Sequence, residues 1–297
     1  MEELLKEESQ DVVTLKNINL RYNGERGEVT ALQNVNLNIE KGEFICVLGP
    51  SGCGKSTLLN IIAGFLKPTE GEARMNGEII DGASWERAVV FQTPTLYPWL
   101  NIHDNVAFGP NVRHLPKEQT EELTKKYLNL VELGEFGDHK PYELSGGMRQ
   151  RASLARVLVN QPGMILMDEP FGALDALTRQ NMQTLIRKIW SQTQNTVFLI
   201  THDVDEALAL ATRVIVMSSR PGRIVKQFET DFTYDIGGVN KESARYTREY
   251  MQIREEILKK APDAQVTVAS WFMVKPEPRK EGDLHLRDEE DYIKLVE

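Results

Sequence analysis

Gly49-Pro-Ser-Gly-Cys-Gly-Lys55-Ser56 is the stretch of this 297-residue sequence that decides its fold. It follows the apolar run Phe44–Leu48 and precedes a helical pattern that ends near Gly64, so it joins a buried strand to a helix. P-loops have this pattern in this position, because their glycines allow successive N–H groups and the helix N-terminus to face phosphate oxygens. The alternative is a glycine-rich turn without a ligand. The P-loop interpretation predicts a nucleoside triphosphate as the bound molecule.

The P-loop interpretation assigns a role to each part of this segment. The Lys55 ammonium is expected to neutralise charge on the β- and γ-phosphates, and the Ser56 hydroxyl is expected to bind Mg²⁺. Cys53 is interpreted mainly as a small loop residue; a minor hypothesis is redox sensitivity, because a helix N-terminus lowers a thiol pKa. The residues expected to contact the nucleotide are Gly49, Pro50, Ser51, Gly52, Cys53, Gly54, Lys55, Ser56 and Thr57.

An acidic motif further along the chain supplies the second half of a phosphate site. The apolar run Met164–Met167 is typical of a buried strand and is followed directly by Asp168 and Glu169. Asp168 is expected to lie beside Mg²⁺ through a water molecule, and Glu169 to polarise the attacking water as a general base. Taken alone, an apolar strand that ends in two acids is also typical of a solvated turn.

Strand and helix patterns alternate along most of the chain. Residues 12–39 alternate apolar and polar positions, which predicts two or three antiparallel strands. After them, short apolar runs are each followed by a polar turn and a helical pattern, which predicts a mostly parallel α/β sheet. Because ligands bind at the carboxyl ends of parallel strands, the turns after Phe44–Leu48, Met164–Met167 and Val197–Ile200 are expected to share one site. Residues from about 95 to 159 predict an inserted helical subdomain.

Composition argues against several classes of protein. Acidic residues outnumber basic ones by 44 to 35, and the only dense basic cluster, Arg149, Arg151 and Arg156, lies inside another motif, so nucleic acid is not an expected partner. No apolar run approaches the roughly 20 residues that a membrane span requires, and the N-terminus lacks the basic-then-apolar order of a signal peptide. Two cysteines, Cys46 and Cys53, are too few for a disulfide framework, and no zinc-type spacing occurs, so a reducing cytosol is expected.

The motif Leu144-Ser145-Gly146-Gly147-Met148-Arg149-Gln150 precedes another helical pattern. In isolation it predicts a helix N-terminus, with the serine as cap and the glycines in the turn. Together, GPSGCGKST, LSGGMRQR, ILMDEP and a histidine after a strand resemble the nucleotide-binding subunits of ABC transporters, over about residues 12 to 260. The stretch FQTPTLYPWLNIHDNVAFG, from Phe91, further resembles importer ATPases of the nitrate, sulfonate and taurine type.

This resemblance implies an α/β fold: a P-loop NTPase (RecA-like) core with an N-terminal antiparallel β subdomain and an inserted α-helical subdomain. The ABC-type ATP-binding domain is placed at residues 11–235, with the helical subdomain at about 95–159. Residues 236–262 are predicted to hold an amphipathic helix with apolar positions at Tyr246, Tyr250, Ile253 and Ile257. The charged extension 263–297 is predicted to be solvated and partly ordered; the alternative is that its Trp271-Phe272 pair packs on the catalytic body or on a partner.

The resemblance also implies contacts to one ATP molecule and its Mg²⁺. Tyr22 matches the position where the family stacks an aromatic ring on adenine, although a plain strand residue is the alternative. Gln92 matches the glutamine that contacts Mg²⁺ and the attacking water while it senses the membrane partner. His202 matches the switch histidine that contacts the γ-phosphate; a lone histidine at a strand end is otherwise more often structural.

Three further positions match residues that act across a dimer. Ser145 and Gly147 match signature residues that bind the γ-phosphate held by the opposite subunit, and Asp175 matches the loop that couples the two sites. Every catalytic motif is intact in this chain. A homodimer with two equivalent ATP sites is therefore the simpler expectation, and pairing with a related chain is the alternative.

The implied activity is ATP hydrolysis at the cytoplasmic face of the membrane, which powers import of a small anionic solute through a separate permease and, indirectly, a solute-binding protein. Residues 92–108 would transmit the movement, with Trp99 and Leu100 as groove contacts or, alternatively, as buried core. The main rival is a soluble ABC ATPase not linked to transport, which would usually show two ATPase domains or a coiled-coil insertion. A GTPase or a P-loop kinase would not carry LSGGMRQR, an exporter usually carries membrane spans in the same chain, and a non-catalytic module has no need of Glu169.

Overall fold

The computed structural model describes residues 11–24, 27–230 and 244–261, apart from the side chains of 244–247 and 249. The described part contains ten strands, which are β1 (Asp11–Gly24), β2 (Gly27–Glu40), β3 (Phe44–Leu48), β4 (Glu70–Met75), β5 (Glu78–Ile79), β6 (Arg87–Val90), β7 (Met164–Asp168), β8 (Thr196–Ile200), β9 (Arg213–Met217) and β10 (Ile224–Glu229). Its α-helices are α1 (Lys55–Ala63), α2 (Ile102–Val112), α3 (Lys117–Leu130), α4 (Gly146–Leu158), α5 (Ala176–Thr193), α6 (Val204–Leu210) and α7 (Ala244–Lys260). The predicted extension 263–297 lies outside the described residues.

The first sheet is antiparallel, with strand order β2-β1-β4-β5. Strands β1 and β2 form a long hairpin in which Asp11 pairs with Glu40 and Gly24 pairs with Gly27. Along β2 the buried positions alternate with exposed ones near its end, because one face of the sheet covers the core and the other meets solvent. The predicted N-terminal antiparallel subdomain is confirmed.

The second sheet has the order β10-β9-β3-β8-β7-β6, and all its neighbouring pairs are parallel except β10 with β9. Every residue of β3 and β8 is buried, as expected for the centre of a sheet that is covered on both faces. Helix α1 contacts β2 of the first sheet and β6, β7 and β8 of the second. It therefore anchors the segment that precedes it against both sheets.

The insertion between β6 and β7 is helical, as the sequence predicts. Helices α2, α3 and α4 pack on one another, and short 3-10 turns at Gly134–Phe136 and Pro141–Glu143 connect α3 to α4. The side chain of Asn101 begins α2 by accepting a hydrogen bond from the Asp104 N–H. The apolar residues of α5 are not all buried: Leu177 is 69% exposed, whereas Leu185 and Ile189 are buried. Leu177 lies in the first turn of α5, ahead of the buried stripe that begins at Met182.

Helix α7 lies within residues 236–262, where the sequence predicts an amphipathic helix. Tyr250 and Ile257 are buried and Ile253 is half-buried, whereas the Tyr246 side chain and residues 236–243 lie outside the described part. The helix packs on α6 and β10. The Tyr250 hydroxyl donates a 3.0 Å hydrogen bond to Asp205 Oδ1, and Arg254 Nε donates one of 2.9 Å to the same oxygen.

Replacing this hydroxyl is expected to loosen α7. Tyr250→Phe removes one donor to a buried carboxylate, so we expect the free energy of unfolding to fall by about 1–2 kcal/mol. Urea unfolding followed by circular dichroism measures the change. Tyr142→Phe is the matched control, because Tyr142 is 74% exposed. Loss of its hydroxyl should change the free energy of unfolding by no more than about 0.5 kcal/mol. Equal midpoints for Tyr250→Phe and wild type would contradict the prediction.

Candidate nucleotide-binding and hydrolysis site

The glycine-rich segment forms a tight turn between β3 and α1. Gly52 and Gly54 have φ values of 71° and 105°, in the left-handed region that glycine adopts without steric cost. A Cβ atom at Gly54 would also lie 2.8 Å from the Leu32 Cδ2 atom, so this position has no room for a side chain. The backbone therefore curls at the N-terminus of α1, in the arrangement that anions favour.

Lys55 lies at the centre of this turn with 7% of its surface exposed. Its Nζ donates hydrogen bonds of 2.7 Å to the Gly49 carbonyl and 3.0 Å to the Pro50 carbonyl. An ammonium group has three donors, so one remains for a phosphate oxygen. The loop holds a positive charge at the position that the sequence predicts.

Ser56 and Asp168 meet across the sheet edge. Ser56 Oγ donates a 3.2 Å hydrogen bond to Asp168 Oδ1. Burial raises the pKa of the Asp168 carboxyl above its usual range, and the Ser56 hydrogen bond opposes that rise. Hydroxyl and carboxylate oxygens are ligands that Mg²⁺ prefers, and it usually keeps waters and substrate phosphates in its shell. In the described part of the chain no group of three or more His, Cys, Asp and Glu residues could hold a metal alone, so these two oxygens fit an Mg²⁺ that arrives with a triphosphate.

Glu169 and His202 lie at the ends of the neighbouring strands β7 and β8. His202 Nδ1 is 3.4 Å from Glu169 Oε2, and about a third of each side chain is exposed. Glu169 has a φ of 46°, which is uncommon for a residue with a side chain and is found at active sites. Its N–H donates a 3.0 Å hydrogen bond to the Ile200 carbonyl, which fixes this conformation.

Gln92 follows β6 and reaches the same edge. A Cβ atom at Gly172 would lie 3.1 Å from Gln92 Nε2 and 3.5 Å from the Glu169 carbonyl oxygen, so the amide lies beside the turn that follows Glu169. The carboxyl ends of four parallel strands therefore bring together the P-loop, both acids, the glutamine and the histidine, as the sequence predicts.

Comparison with known proteins decides the family. Residues 32–172 match the family model described as ABC transporter. Over 249 residues the chain is 49% identical to the taurine import ATP-binding protein TauB of Ruegeria pomeroyi. The aligned region covers 83% of this chain and 92% of that protein. The chain belongs to the ABC transporter ATP-binding family. It is also 46% identical to an uncharacterised ABC transporter ATP-binding protein of Methanocaldococcus jannaschii, over 80% of this chain and 89% of that one.

Solved structures agree with this assignment. A dimeric bacterial ABC transporter cassette is 34% identical and aligns with a TM-score of 0.65, over 74% of this chain and 99% of that chain. A Clostridium perfringens protein that is part of an ABC transporter complex aligns with a TM-score of 0.68 at 26% identity, over 82% and 99% of the two chains. The predicted fold class and family are confirmed. The chain is an ATP-hydrolysing ABC subunit that uses Mg²⁺, and transport is favoured over the soluble-ATPase alternative.

The signature residues of this ABC subunit have only local contacts among those described. Ser145 begins α4, and its Oγ accepts a 3.3 Å hydrogen bond from the Met148 N–H. In the single chain this serine therefore caps the helix, as the motif predicts in isolation. A Cβ atom at Gly147 would lie 2.5 Å from Thr178 Cγ2, so the signature packs against the start of α5. Among the described contacts, none joins Ser145 or Gly147 to residues 49–57.

Two other predicted ABC positions have only local contacts among those described. Asp175 begins α5 by accepting a 3.0 Å hydrogen bond from the Thr178 N–H, and the hydrogen bonds from Thr178 lower the pKa of its carboxyl. Tyr22 lies near the end of the β1–β2 hairpin, opposite Val29, with 43% of its surface exposed. Its ring is accessible for stacking, although no described contact joins it to the P-loop.

The redox hypothesis for Cys53 does not fit the structure. Cys53 is only 1% exposed, and burial raises the pKa of its thiol despite the nearby Lys55 ammonium. The expected effect of the helix N-terminus is therefore outweighed by desolvation, and the thiol stays protonated at neutral pH. The main interpretation of Cys53 as a small loop residue remains.

The contacts that hold the segment with Gln92 (the glutamine loop) to α4 are not evident from the sequence. Gln150 is 1% exposed and its Nε2 donates a 3.3 Å hydrogen bond to the Phe91 carbonyl, next to Gln92. The Arg156 guanidinium lies 4.4 Å from the Tyr97 ring centroid and donates to the Thr95 carbonyl. A polar residue on the buried face of α4 was the only sequence signal, and it does not identify its partner.

A second missed group supports the P-loop from the β9–β10 connection. Arg220 Nε and Nη2 donate hydrogen bonds of 3.2 Å and 3.1 Å to the Gly52 carbonyl. A Cβ atom at Gly222 would lie 2.0 Å from the Cys53 carbonyl oxygen, so only glycine fits there. The Arg220-Pro-Gly222 turn signal is visible in the sequence, but its contact with a loop far away in the chain is not.

Proposed function

We propose that this chain hydrolyses ATP to power import of taurine or a closely related small sulfonate through a separate membrane permease. In such systems other subunits set the solute specificity, so the residues of this chain do not identify the solute. The assignment therefore rests on the similarity to proteins named as taurine import ATP-binding proteins. Nitrate is the second candidate, since the stretch from Phe91 resembles that wider group. The proposed site of action is the cytoplasmic face of the membrane, with a solute-binding protein on the opposite side.

In the proposed chemistry, Glu169 accepts a proton from the attacking water. His202, 3.4 Å from that carboxylate, holds it in place and contacts the γ-phosphate. Gln92 orients the water, and Lys55 with the loop N–H groups stabilises charge on the phosphates. Ser56 and Asp168 would hold Mg²⁺, and the bound ion would neutralise phosphate charge. Tyr22 would stack on adenine.

The proposed active unit is a dimer in which each chain completes the other's site. The lack of a described contact between Ser145 or Gly147 and the P-loop of the same chain supports this arrangement, because their hydroxyl and N–H groups are left for an ATP bound to a partner. The Ser145 cap places its oxygen at the N-terminus of α4, where anions are stabilised. Asp175, at the N-terminus of α5 beside the signature, would couple the two sites.

The proposed permease contact is an aromatic surface of the helical subdomain, formed by Tyr97, Trp99 and Phe108. The Tyr97 ring stacks on Trp99 at 5.3 Å and contacts Phe108 at 4.7 Å, measured between centroids. Trp99 is 69% exposed, which supports the groove-contact interpretation over buried core. Asn105 is fully buried and bonds the backbone of Tyr97 in both directions, so the surface is rigid.

Co-purification from gently solubilised membranes tests this proposal. Tagged wild-type chain is expected to bring down a multi-span membrane protein in stoichiometric amount, and Trp99→Ala to reduce that yield by about 10-fold because a central aromatic anchor is lost. Ile79→Ala is the matched control, since Ile79 is 60% exposed on the first sheet. ATP binding should be unchanged in both variants. A wild-type chain that purifies alone with full ATPase activity would favour the soluble-ATPase alternative.

The solute can be tested on the co-purified complex. Reconstituted in liposomes with the solute-binding protein, it is expected to hydrolyse ATP faster with taurine than with nitrate. Stimulation by nitrate alone would overturn the sulfonate assignment and leave the transport role intact.

A further inference from the structure

A buried polar cluster lies behind the switch histidine. Its centre is Glu206 in the first turn of α6, with 6% of its surface exposed. Glu206 Oε2 accepts a hydrogen bond from the Thr201 hydroxyl, and Oε1 accepts one of 2.8 Å from Gln183 Nε2 on α5. Neither Glu206 nor Gln183 belongs to the motifs that define the ATP site. A carboxyl group buried this deeply requires such partners.

The cluster fixes the backbone on both sides of His202. The Thr201 hydroxyl oxygen accepts a 3.1 Å hydrogen bond from the Asp203 N–H, which closes the turn around the histidine. Asp203 Oδ1 in turn accepts from the N–H groups of Asp205 and Glu206, at 2.9 Å and 3.0 Å. Glu206 is thus tied to the turn through its side chain at Thr201 and through its backbone at Asp203.

We infer that Glu206 is a positioning residue for His202, acting through the Thr201 hydroxyl to hold the imidazole against Glu169. The inference rests on the proposed role of His202 in hydrolysis. Glu206 itself contacts neither the P-loop nor the two acids after β7 in the described hydrogen bonds. Its removal should therefore slow the chemical step and leave ATP binding unchanged, because a small displacement of a catalytic group has a large effect on rate.

The protonation state of Glu206 changes near neutral pH. The pKa of Glu206 is raised to about 7. Burial is the largest cause and the Asp203 charge adds to it, whereas the Thr201 and Gln183 hydrogen bonds and the Arg179 charge oppose the rise. On β3, burial and then the charge of Glu206 raise the pKa of the Cys46 thiol. The charged carboxylate accepts from both neighbours, whereas the protonated acid has an O–H donor on one oxygen. The hydrogen bonding that holds the His202 turn therefore changes with this proton.

Steady-state ATPase kinetics of the full chain test the inference. Glu206→Ala is expected to lower kcat by about 10- to 100-fold with the KM for ATP within about 2-fold of wild type. Glu206→Gln keeps one oxygen as an acceptor and replaces the other with an N–H donor, which resembles the protonated acid, so it should retain kcat within about 3-fold. The control is Glu43→Gln, because Glu43 is another partly buried carboxyl of raised pKa, paired with Arg213 and remote from the His202 turn.

Two readouts separate positioning from a structural effect. The ratio of wild-type to Glu206→Gln kcat should change across about pH 6 to 8, because only wild type titrates there. Since burial raises the pKa of Glu206 from its ordinary value of 4.5 to about 7, the stabilising contribution of this carboxyl is present below pH 4.5 and is lost as pH rises through about 7. Wild type should therefore lose unfolding free energy relative to Glu206→Gln over that window, while Glu43→Gln follows the wild-type kcat profile.

Two further variants decide how a failure is understood. Thr201→Val should lower kcat as Glu206→Ala does, and the double variant should be no worse than either, because the two act as one unit. If His202→Ala keeps wild-type kcat, the proposed hydrolysis site is wrong. If His202→Ala is slow but Glu206→Ala has wild-type kcat, or if Glu206→Ala changes KM alone, the positioning role is wrong and the site stands.

Discussion

Glu169→Gln is expected to lower ATP turnover by about 10²- to 10⁴-fold while ATP still binds. An amide has the shape of the carboxylate but cannot take a proton from water, so the attacking nucleophile is no longer activated. In the wild-type chain His202 Nδ1 is 3.4 Å from Glu169 Oε2. Because glutamine has the same length as glutamate, it should keep its side chain beside His202 and leave the pocket intact. Phosphate release measures turnover, and a fluorescent ATP analogue measures affinity.

This variant should also accumulate as a dimer with ATP, because separation follows hydrolysis in the proposed cycle. Light scattering with and without ATP gives the mass. Glu72→Gln is the matched control: Glu72 is an exposed glutamate on β4 that pairs with Arg74, and its loss should leave turnover unchanged. Wild-type turnover in Glu169→Gln would show that Glu169 is not the base.

Lys55→Ala is expected to weaken ATP binding itself by about 100-fold, because truncating one partner of a buried charge interaction costs several kcal/mol. In the wild-type chain the Lys55 Nζ donates hydrogen bonds to the Gly49 and Pro50 carbonyls. Lys55→Ala therefore removes both a positive charge and the hydrogen bonds that link two points of the loop. Equilibrium titration with labelled ATP measures the change.

The control for this variant separates the P-loop lysine from general loss of charge. Lys67→Ala removes a surface lysine, 72% exposed, whose partner is Asp81. We expect unchanged ATP affinity in Lys67→Ala and similar thermal unfolding in both variants. An unaltered ATP affinity in folded Lys55→Ala would mean that the loop backbone alone binds the triphosphate.

The sequence was sufficient where the physical signal is local. A continuous apolar run predicts a central parallel strand, and β3, β7 and β8 lie where such runs occur. Gly54 and Gly64 mark the two ends of α1 because both adopt left-handed conformations there. Motif order along these elements was enough to predict Lys55, Ser56, Asp168, Glu169 and His202 at one sheet edge, because parallel strands all end on the same side.

Local rules also produced the errors. The N-terminus of a helix lowers a thiol pKa, but at Cys53 burial outweighs that effect, and burial depends on the rest of the fold. Helical periodicity does not distinguish Leu177 from Leu185 or Ile189, yet Leu177 is exposed and the buried residues of α5 begin at Met182. A pattern gives the direction of a side chain along its helix and does not give the neighbour that covers it.

The sequence by itself determined the family, the ATP chemistry and the elements that carry each motif, since each depends on residues that are adjacent in the chain. Only the tertiary structure decided which side chains support them: Gln150 on the glutamine loop, Arg220 on the P-loop and Glu206 behind His202. The Gln150 and Arg220 contacts join segments that are far apart in the sequence, and the Glu206 contact depends on which side of α6 is buried. Their energies come from desolvation and hydrogen bonding in the packed interior, which no single stretch of sequence contains.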